Sequence, residues 1–250
     1  MAVLHLLGTG AALSDAGRTT TMLAFESGER VLVVDCGGDV VQRLLGAGID
    51  LERIEALIVT HEHPDHAGGF PLFMERIWLA GRRRPIDVYG IAAAIAQARR
   101  AFEAFNTAGW EGLPEIRWRE VELREGAAVL EDASWRVSAS PGTHSVPVVG
   151  LRVEDVRGGG VVAYSCDTER SEAITRLARG ADLLLHEAMA EKARGHTTYA
   201  EAAQVAAQAG VRRLVLVHLP PGADDAHLAE ARAVFPDTRL GADGERIVVS

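Results

Sequence analysis

The chain has 250 residues, 48% of them hydrophobic and 24% charged, an ordinary globular composition with enough length to bury a large core. Its formal net charge of -9 disfavours a long nucleic-acid footprint, because tracking a polyphosphate backbone takes a basic face that releases counterions. No run of 18 apolar residues occurs and the N-terminal stretch is too short for a signal peptide, so the expectation is a soluble, cytoplasmic protein with no membrane span.

Residues 3–7, 20–25 and 30–35 read as strands, with Glu26, Ser27, Gly28 and Glu29 as a hairpin connection. Asp39 caps a short helix that stops near Gly46, and the apolar run 56–60 is a strand ending directly in His61. Residues 91–105 are Ala-rich and helical, whereas 116–123, 135–140, 148–153 and 161–165 have strand character. From there the pattern becomes α/β, with helix over 169–178, strand over 183–186, helix over 198–209 and strand over 213–218. Thr198 with Glu201 makes a capping box for the second helix of this group, and Gly210 supplies its stop. No linker-like stretch divides the chain, so a single domain over 1–250 is expected. Two β-rich segments, each followed by helices, fit an α/β fold of two sheets packed face to face with helices on the outer faces.

Two cysteines, Cys36 and Cys166, are too few for a disulfide framework and sit in or beside apolar runs, which predicts buried free thiols. Two basic stretches, Arg82 to Arg84 and Arg117-Trp118-Arg119, read as a solvated turn and a strand face rather than phosphate cradles. Asp35 admits two readings, a carboxylate that holds a ligand loop or a cap for the Gly37-Gly38 turn, and the turn is favoured.

The sharpest signal is His61-Glu62-His63-Pro64-Asp65-His66, directly after the strand 56–60. Residues two apart on an extended segment project to one side, so His61 and His63 can grip one ion with two imidazoles. A turn at Pro64 would swing Asp65 and His66 towards a neighbouring position, where a carboxylate and an imidazole begin a second half-site. Six residues cannot complete two sites. The missing ligands are sought at other strand ends, where His144, Asp167 and His218 stand. Cys166 precedes Asp167 on a strand and should point to the opposite face, into the core.

On these motifs the chain resembles the metallo-β-lactamase superfamily, and within it the ribonuclease Z branch of metallo-phosphodiesterases. The resemblance rests on Leu7-Gly8-Thr9-Gly10 with Arg18, Asp35-Cys36-Gly37, the histidine and aspartate cluster and His144-Ser145. It continues through Ser165-Cys166-Asp167-Thr168, His186-Glu187-Ala188, Gly195-His196-Thr197-Thr198 and the strand into His218. It implies a four-layer αβ/βα sandwich with two mixed sheets. It also implies that His61, His63 and His144 hold one divalent ion, that Asp65, His66 and His218 hold a second, and that Asp167 bridges them. Zinc is the implied metal, with manganese as the alternative. His196 matches the catalytic histidine of the branch, with Thr197 in place of its serine, and Glu187 matches the residue that orients that histidine.

The chemistry implied is attack by a metal-bridging hydroxide on a phosphodiester, with Asp65 orienting the nucleophile and His196 protonating the leaving alkoxide. Against tRNA 3′ processing stand three departures: no P-x-K-x-R loop, no inserted Gly-rich arm, and Leu219-Pro220-Pro221 after His218 where the branch carries Ser and Arg. The expected partner is therefore a small-molecule or nucleotide phosphodiester, with RNA disfavoured and a homodimer left open. The alternatives are a tRNA 3′ processing endoribonuclease and a hydrolase of another small ester, of arylsulfatase or lactonase type.

Overall fold

The computed structural model describes residues 2–13 and 15–249. The domain expected over 1–250 thus includes positions 1, 14 and 250, which lie outside the described residues. The first half of the chain builds a seven-stranded sheet from β1 (Ala2–Gly8), β2 (Met22–Ser27), β3 (Arg30–Val34), β4 (Ile54–Val59), β5 (Ile86–Gly90) and β6 (Ile116–Glu120). The second half builds another from β7 (Ala127–Glu131), β8 (Trp135–Pro141), β9 (Val149–Asp155), β10 (Val161–Tyr164), β11 (Leu183–Glu187), β12 (Leu214–Val217) and β13 (Thr238–Leu240). The chain then returns to the first sheet as β14 (Glu245–Val249), pairing Ala2 with Val249 beside β1.

Alternation along the strands sets the layers. On β11 and β12, Leu183, Leu185, Val215 and Val217 belong to the core shared with the first sheet, whereas Leu184, Leu214 and Leu216 join a second cluster with Ala202, Ala203, Val205 and Ala206. Those alanines and Val205 lie on α6 (Tyr199–Ala209). Strands covered on both faces read as continuous apolar runs, which explains LLL in β11 and LVLV in β12. Helices α1 (Val40–Gly46), α3 (Phe70–Leu79) and α4 (Ala92–Glu103) contribute to the core of the first sheet. On the second sheet α5 (Glu172–Leu177) and α7 (Ala229–Val234) accompany α6, giving the expected sandwich. Among the described residues no helix is long and apolar enough to cross a membrane.

Strand direction places the site. In the first sheet β3, β4, β5 and β6 run parallel, and β1, antiparallel to β2 as is β3, points the same way. In the second sheet β10, β11, β12 and β13 run parallel, with β8 in the same sense. Ligand sites in such sheets form outside the carboxyl ends of the strands. The two carboxyl edges are stitched together where Leu219 donates to the carbonyl of Thr9 at 2.9 Å and Ala11 donates to that of Leu219 at 2.9 Å.

Two local expectations are revised. Pro64 starts a one-turn helix, α2 (Pro64–Ala67), rather than a simple turn, because a fixed φ and a missing N–H suit the first helical turn. The helix expected from 169 begins only at Glu172, with Ser171 as its cap. Residues 167–169 instead form part of the site, where the backbone N–H of Glu169 donates to Thr143.

Candidate active site and metal centre

His61 and His63 follow β4, and Asp65 and His66 lie on α2 immediately after them. His144 follows β8, Asp167 follows β10, Glu187 closes β11 and His218 follows β12. All seven residues expected as ligands therefore converge in one cleft between the two carboxyl edges.

They form two groups. In the first, His63 Nδ1 lies 3.1 Å from His61 Nε2 and 3.2 Å from His144 Nε2, and Asp167 Oδ2 is 3.9 Å from each of those Nε2 atoms. In the second, His66 Nε2 is 3.4 Å from carboxylate oxygens of both Asp65 and Asp167, and His218 Nε2 is 3.1 Å from Asp167 Oδ2 and 3.4 Å from Asp65 Oδ2. Asp167 belongs to both groups, as a bridging ligand would.

The donor set fits divalent cations. Buried polar groups normally find hydrogen-bond partners, since leaving one without costs about 1–3 kcal/mol. Here the buried His66 Nε2 and Asp167 Oδ1 have none, although they lie 3.4 Å apart. Atoms that converge without hydrogen-bond geometry are arranged for a common cation, and imidazole with carboxylate suits zinc-like ions.

Two outer ring nitrogens are fixed from behind, those of His66 and His144, whereas His218 Nδ1 is buried without a hydrogen-bond partner. His66 Nδ1 donates to Asp35 Oδ2 at 2.8 Å, and His144 Nδ1 donates to the carbonyl of Gly195 at 2.8 Å, so each ring turns its Nε2 inward. Asp35 is itself held by the N–H of Thr60 at 2.9 Å and by the Thr60 hydroxyl. The favoured turn-capping reading of Asp35 is thus replaced by the other one: it orients His66, a candidate ligand. Gly37, two residues on, is required by proximity, since a Cβ there would fall 1.7 Å from the carbonyl oxygen of Asp65.

Electrostatics follow from burial and these neighbours. Burial, reinforced by His66, lowers His61 to about 2, which keeps its lone pair available. Burial would raise Asp65, but the imidazoles of His218 and His66 beside it hold it below the usual carboxylate range. Asp167 is lowered likewise against its burial, by His218 and His66. Burial would lower His66, but Asp167 and Asp35 raise it well above the ordinary imidazole value. Cys166 is buried, with its thiol pushed up to about 12 by burial, and its Sγ lies 3.0 Å from the Thr60 hydroxyl behind His61. The buried free thiol expected from sequence is present, but Cys166 lies beyond the end of β10 rather than on the strand, and its Sγ, 3.5 Å from His61 Nδ1, faces the site instead of the opposite side; Cys36 is likewise buried and free.

Backbone strain concentrates here as well. The non-glycine residues with positive φ among those described are Asp35 (61°), Cys166 (52°) and His218 (52°), each at the carboxyl end of a strand that borders the cleft. Such conformations persist where surrounding structure over-determines them, and they cluster at functional sites.

His196 stands beside both groups. Its ring centroid lies 5.1 Å from that of His144 and 5.4 Å from that of His218, and its Nδ1 is 3.2 Å from Glu187 Oε1. Glu187 is fully buried and also accepts the N–H groups of Thr168 (2.9 Å) and Thr197 (3.2 Å). Burial, and then Asp167, raise its pKa well above the ordinary value. Thr197 keeps the hydroxyl of the serine it replaces in the motif, donating it to the carbonyl of Thr168 at 2.6 Å. Five residues of the described cavity lining had no signal in the sequence: Ala11, Ala12, Leu13, Met189 and Arg194.

Residues 30–219 match the model of the beta-lactamase superfamily domain. The chain belongs to the beta-lactamase superfamily. Within this superfamily it is 30% identical to a ribonuclease Z from Methanothermobacter thermautotrophicus, over 97% of this chain and 95% of the relative. Its fold is shared with the metallo-beta-lactamase fold protein YhfI from Bacillus subtilis (TM-score 0.83, 24% identity, 98% of each chain). Human tRNase Z, short form, is similar as well (TM-score 0.81, 24% identity, 100% of each chain). This beta-lactamase superfamily member is accordingly a metal-dependent hydrolase of the ribonuclease Z-like branch.

Proposed function

We propose that the protein is a phosphodiesterase acting on a small or nucleotide-type phosphodiester, with two zinc ions held by the seven residues assigned above. His61, His63 and His144 would hold one ion, Asp65, His66 and His218 the other, and Asp167 both. When bound, such ions polarise the phosphoryl group and bring the pKa of water close to neutrality. Asp65 orients the attacking water. His196, turned by Glu187 so that its Nε2 serves the cavity, delivers the proton to the departing alkoxide.

The observation that carries this reading is the pairing of His196 with Glu187 at 3.2 Å, beside two ligand groups that His196 is not needed to complete. His196→Ala is expected to retain its metal while losing turnover by about 10²- to 10⁴-fold on esters with alkoxide leaving groups. The loss should shrink for p-nitrophenyl esters, whose leaving group needs little protonation. Metal analysis alongside rates for a series of leaving groups checks this, and an equal loss across the series would remove His196 from proton delivery.

A second reading, tRNA 3′ processing, is favoured by the name of the 30%-identical relatives. Their alignment runs over 299 positions, more than the 250 residues of this chain, so the relative has stretches with no counterpart here. Strands β9 and β10 are joined through a tight turn at residues 156–160, closed by the N–H of Asp155 on the carbonyl of Gly160 at 2.9 Å. No arm emerges there. The compact substrate is therefore preferred.

A further inference from the structure

The cleft holds a cavity of about 400 Å³ whose floor is the metal-binding groups. Its walls are mostly apolar: Leu13, Met189, Pro220 and Pro221 face it, and Leu13 is 75% exposed. Such a wall suits a flat, weakly polar group such as a nucleobase or aryl ring. Arg194 is the one lysine or arginine among the described residues that line this cavity.

Arg194 is exposed and its side chain has no hydrogen bond or ion pair to any described residue; the exposed Arg157, Arg179 and Arg246 share that state, but none of them lines the cavity. In a chain of net charge -9 carboxylates are plentiful, yet Glu169, close by, is used differently: its Oε1 accepts the N–H of Gly195 at 2.9 Å. The backbone beside Arg194 is fixed to the metal-binding groups. Gly195 accepts from His144, has φ +82°, and leaves no room for a Cβ, which would lie 2.8 Å from His144 Nδ1. The Cα of Arg194 is therefore held within roughly 7 Å of that of His196, two residues on. A guanidinium held there, unpaired, beside a site for an anionic ester, is placed for a second anion.

We propose that Arg194 binds a phosphate adjacent to the scissile one, so that the preferred substrate is a nucleotide carrying two phosphates, one of them esterified and cleaved. The proposal rests on the phosphodiesterase reading above. The test compares thymidine 5′-(p-nitrophenyl phosphate) with the same ester carrying a 3′-phosphate, on zinc-loaded protein. Leaving group and base are identical, and only the second phosphate differs. The wild type should favour the 3′-phosphorylated ester by about 10- to 100-fold in kcat/KM, mainly through KM, and less so at high salt. In Arg194→Gln the ratio should fall close to one at unchanged metal content, and Arg194→Lys should be intermediate because it supplies charge without the fork. A ratio near one in the wild type, or an undiminished ratio in Arg194→Gln, overturns the assignment while leaving the phosphodiesterase reading intact. Hydrolysis of neither ester overturns that reading and the proposal with it.

Discussion

Asp35 is not among the candidate ligands, yet the orientation of His66 depends on it. Its carboxylate accepts a hydrogen bond from His66 Nδ1 and is held in place by Thr60, just beyond the end of β4. Asp35→Asn is informative because asparagine tolerates the positive φ at this position, so the change removes charge without adding backbone strain. Metal affinity of the group that contains His66 is expected to fall about 10- to 100-fold, as for other partners of ligating histidines. Chelator competition checks this, and unchanged affinity would return Asp35 to a purely structural part. The candidate ligands were legible because residue type and spacing carry the chemistry: two imidazoles two residues apart, then a carboxylate and an imidazole after a proline. Asp35 was not, since its partner lies 31 residues away and meets it only once β3 and β4 pair. His196 had no local signal either, and only the resemblance of Gly195-His196-Thr197-Thr198 pointed to it. Arg194 escaped because an exposed arginine in a loop looks like any other until the cavity is seen.

At the level of elements, α6 is the clearest case of sequence and structure agreeing. Thr198 accepts from the N–H of Glu201, the Glu201 carboxylate accepts from the N–H of Thr198, and Gly210 ends the helix in the left-handed conformation. This cap also anchors the segment that carries His196, two residues before it. Thr198→Ala is expected to cost about 1 kcal/mol of stability, with Thr198→Ser near wild type. Turnover on alkoxide esters should fall with it, since His196 loses a fixed neighbour. Urea unfolding and kinetics on the same samples check both, and a stability loss without a rate loss would separate the cap from the catalytic segment. Elements that were not read from sequence have specific reasons. In α3 the N-cap position is Gly69, which offers no side-chain cap, so Pro71 in the first turn is the sole local start signal. β14 has only five residues, and its partner β1 lies at the opposite end of the chain, so pairing rather than local pattern makes it a strand.

Considered as a whole, the molecule distributes its positive charge away from the cleft. Arg82 is buried and donates to the carbonyls of Leu51, Arg84 and Pro85, and Arg84 donates to those of Glu52 and Ile54. These residues sit where β4 and β5 begin, the edge opposite the one that carries the histidines. Arg117 pairs with Glu115 and Arg119 with Asp87, while Trp118 packs on Phe70 with Arg99 over its ring. Both basic stretches of the sequence are therefore consumed within the protein, as a net charge of -9 makes easy. Binding of tRNA draws most of its affinity from neutralised phosphates, each contributing about 0.9 to the slope of log K against log salt for a duplex. With Arg194 as the lone guanidinium of the described cavity lining, that slope should stay shallower than about -3 for pre-tRNA, and affinity at physiological salt should be weak. Filter binding from low to physiological salt measures it, with cleavage of pre-tRNA compared against a small nucleotide diester at equal enzyme concentration. A steep slope with cleavage after the discriminator base would mean that a basic surface is assembled from more than one chain, and would restore the tRNA reading. A shallow slope with turnover confined to small diesters is the outcome that this charge distribution demands.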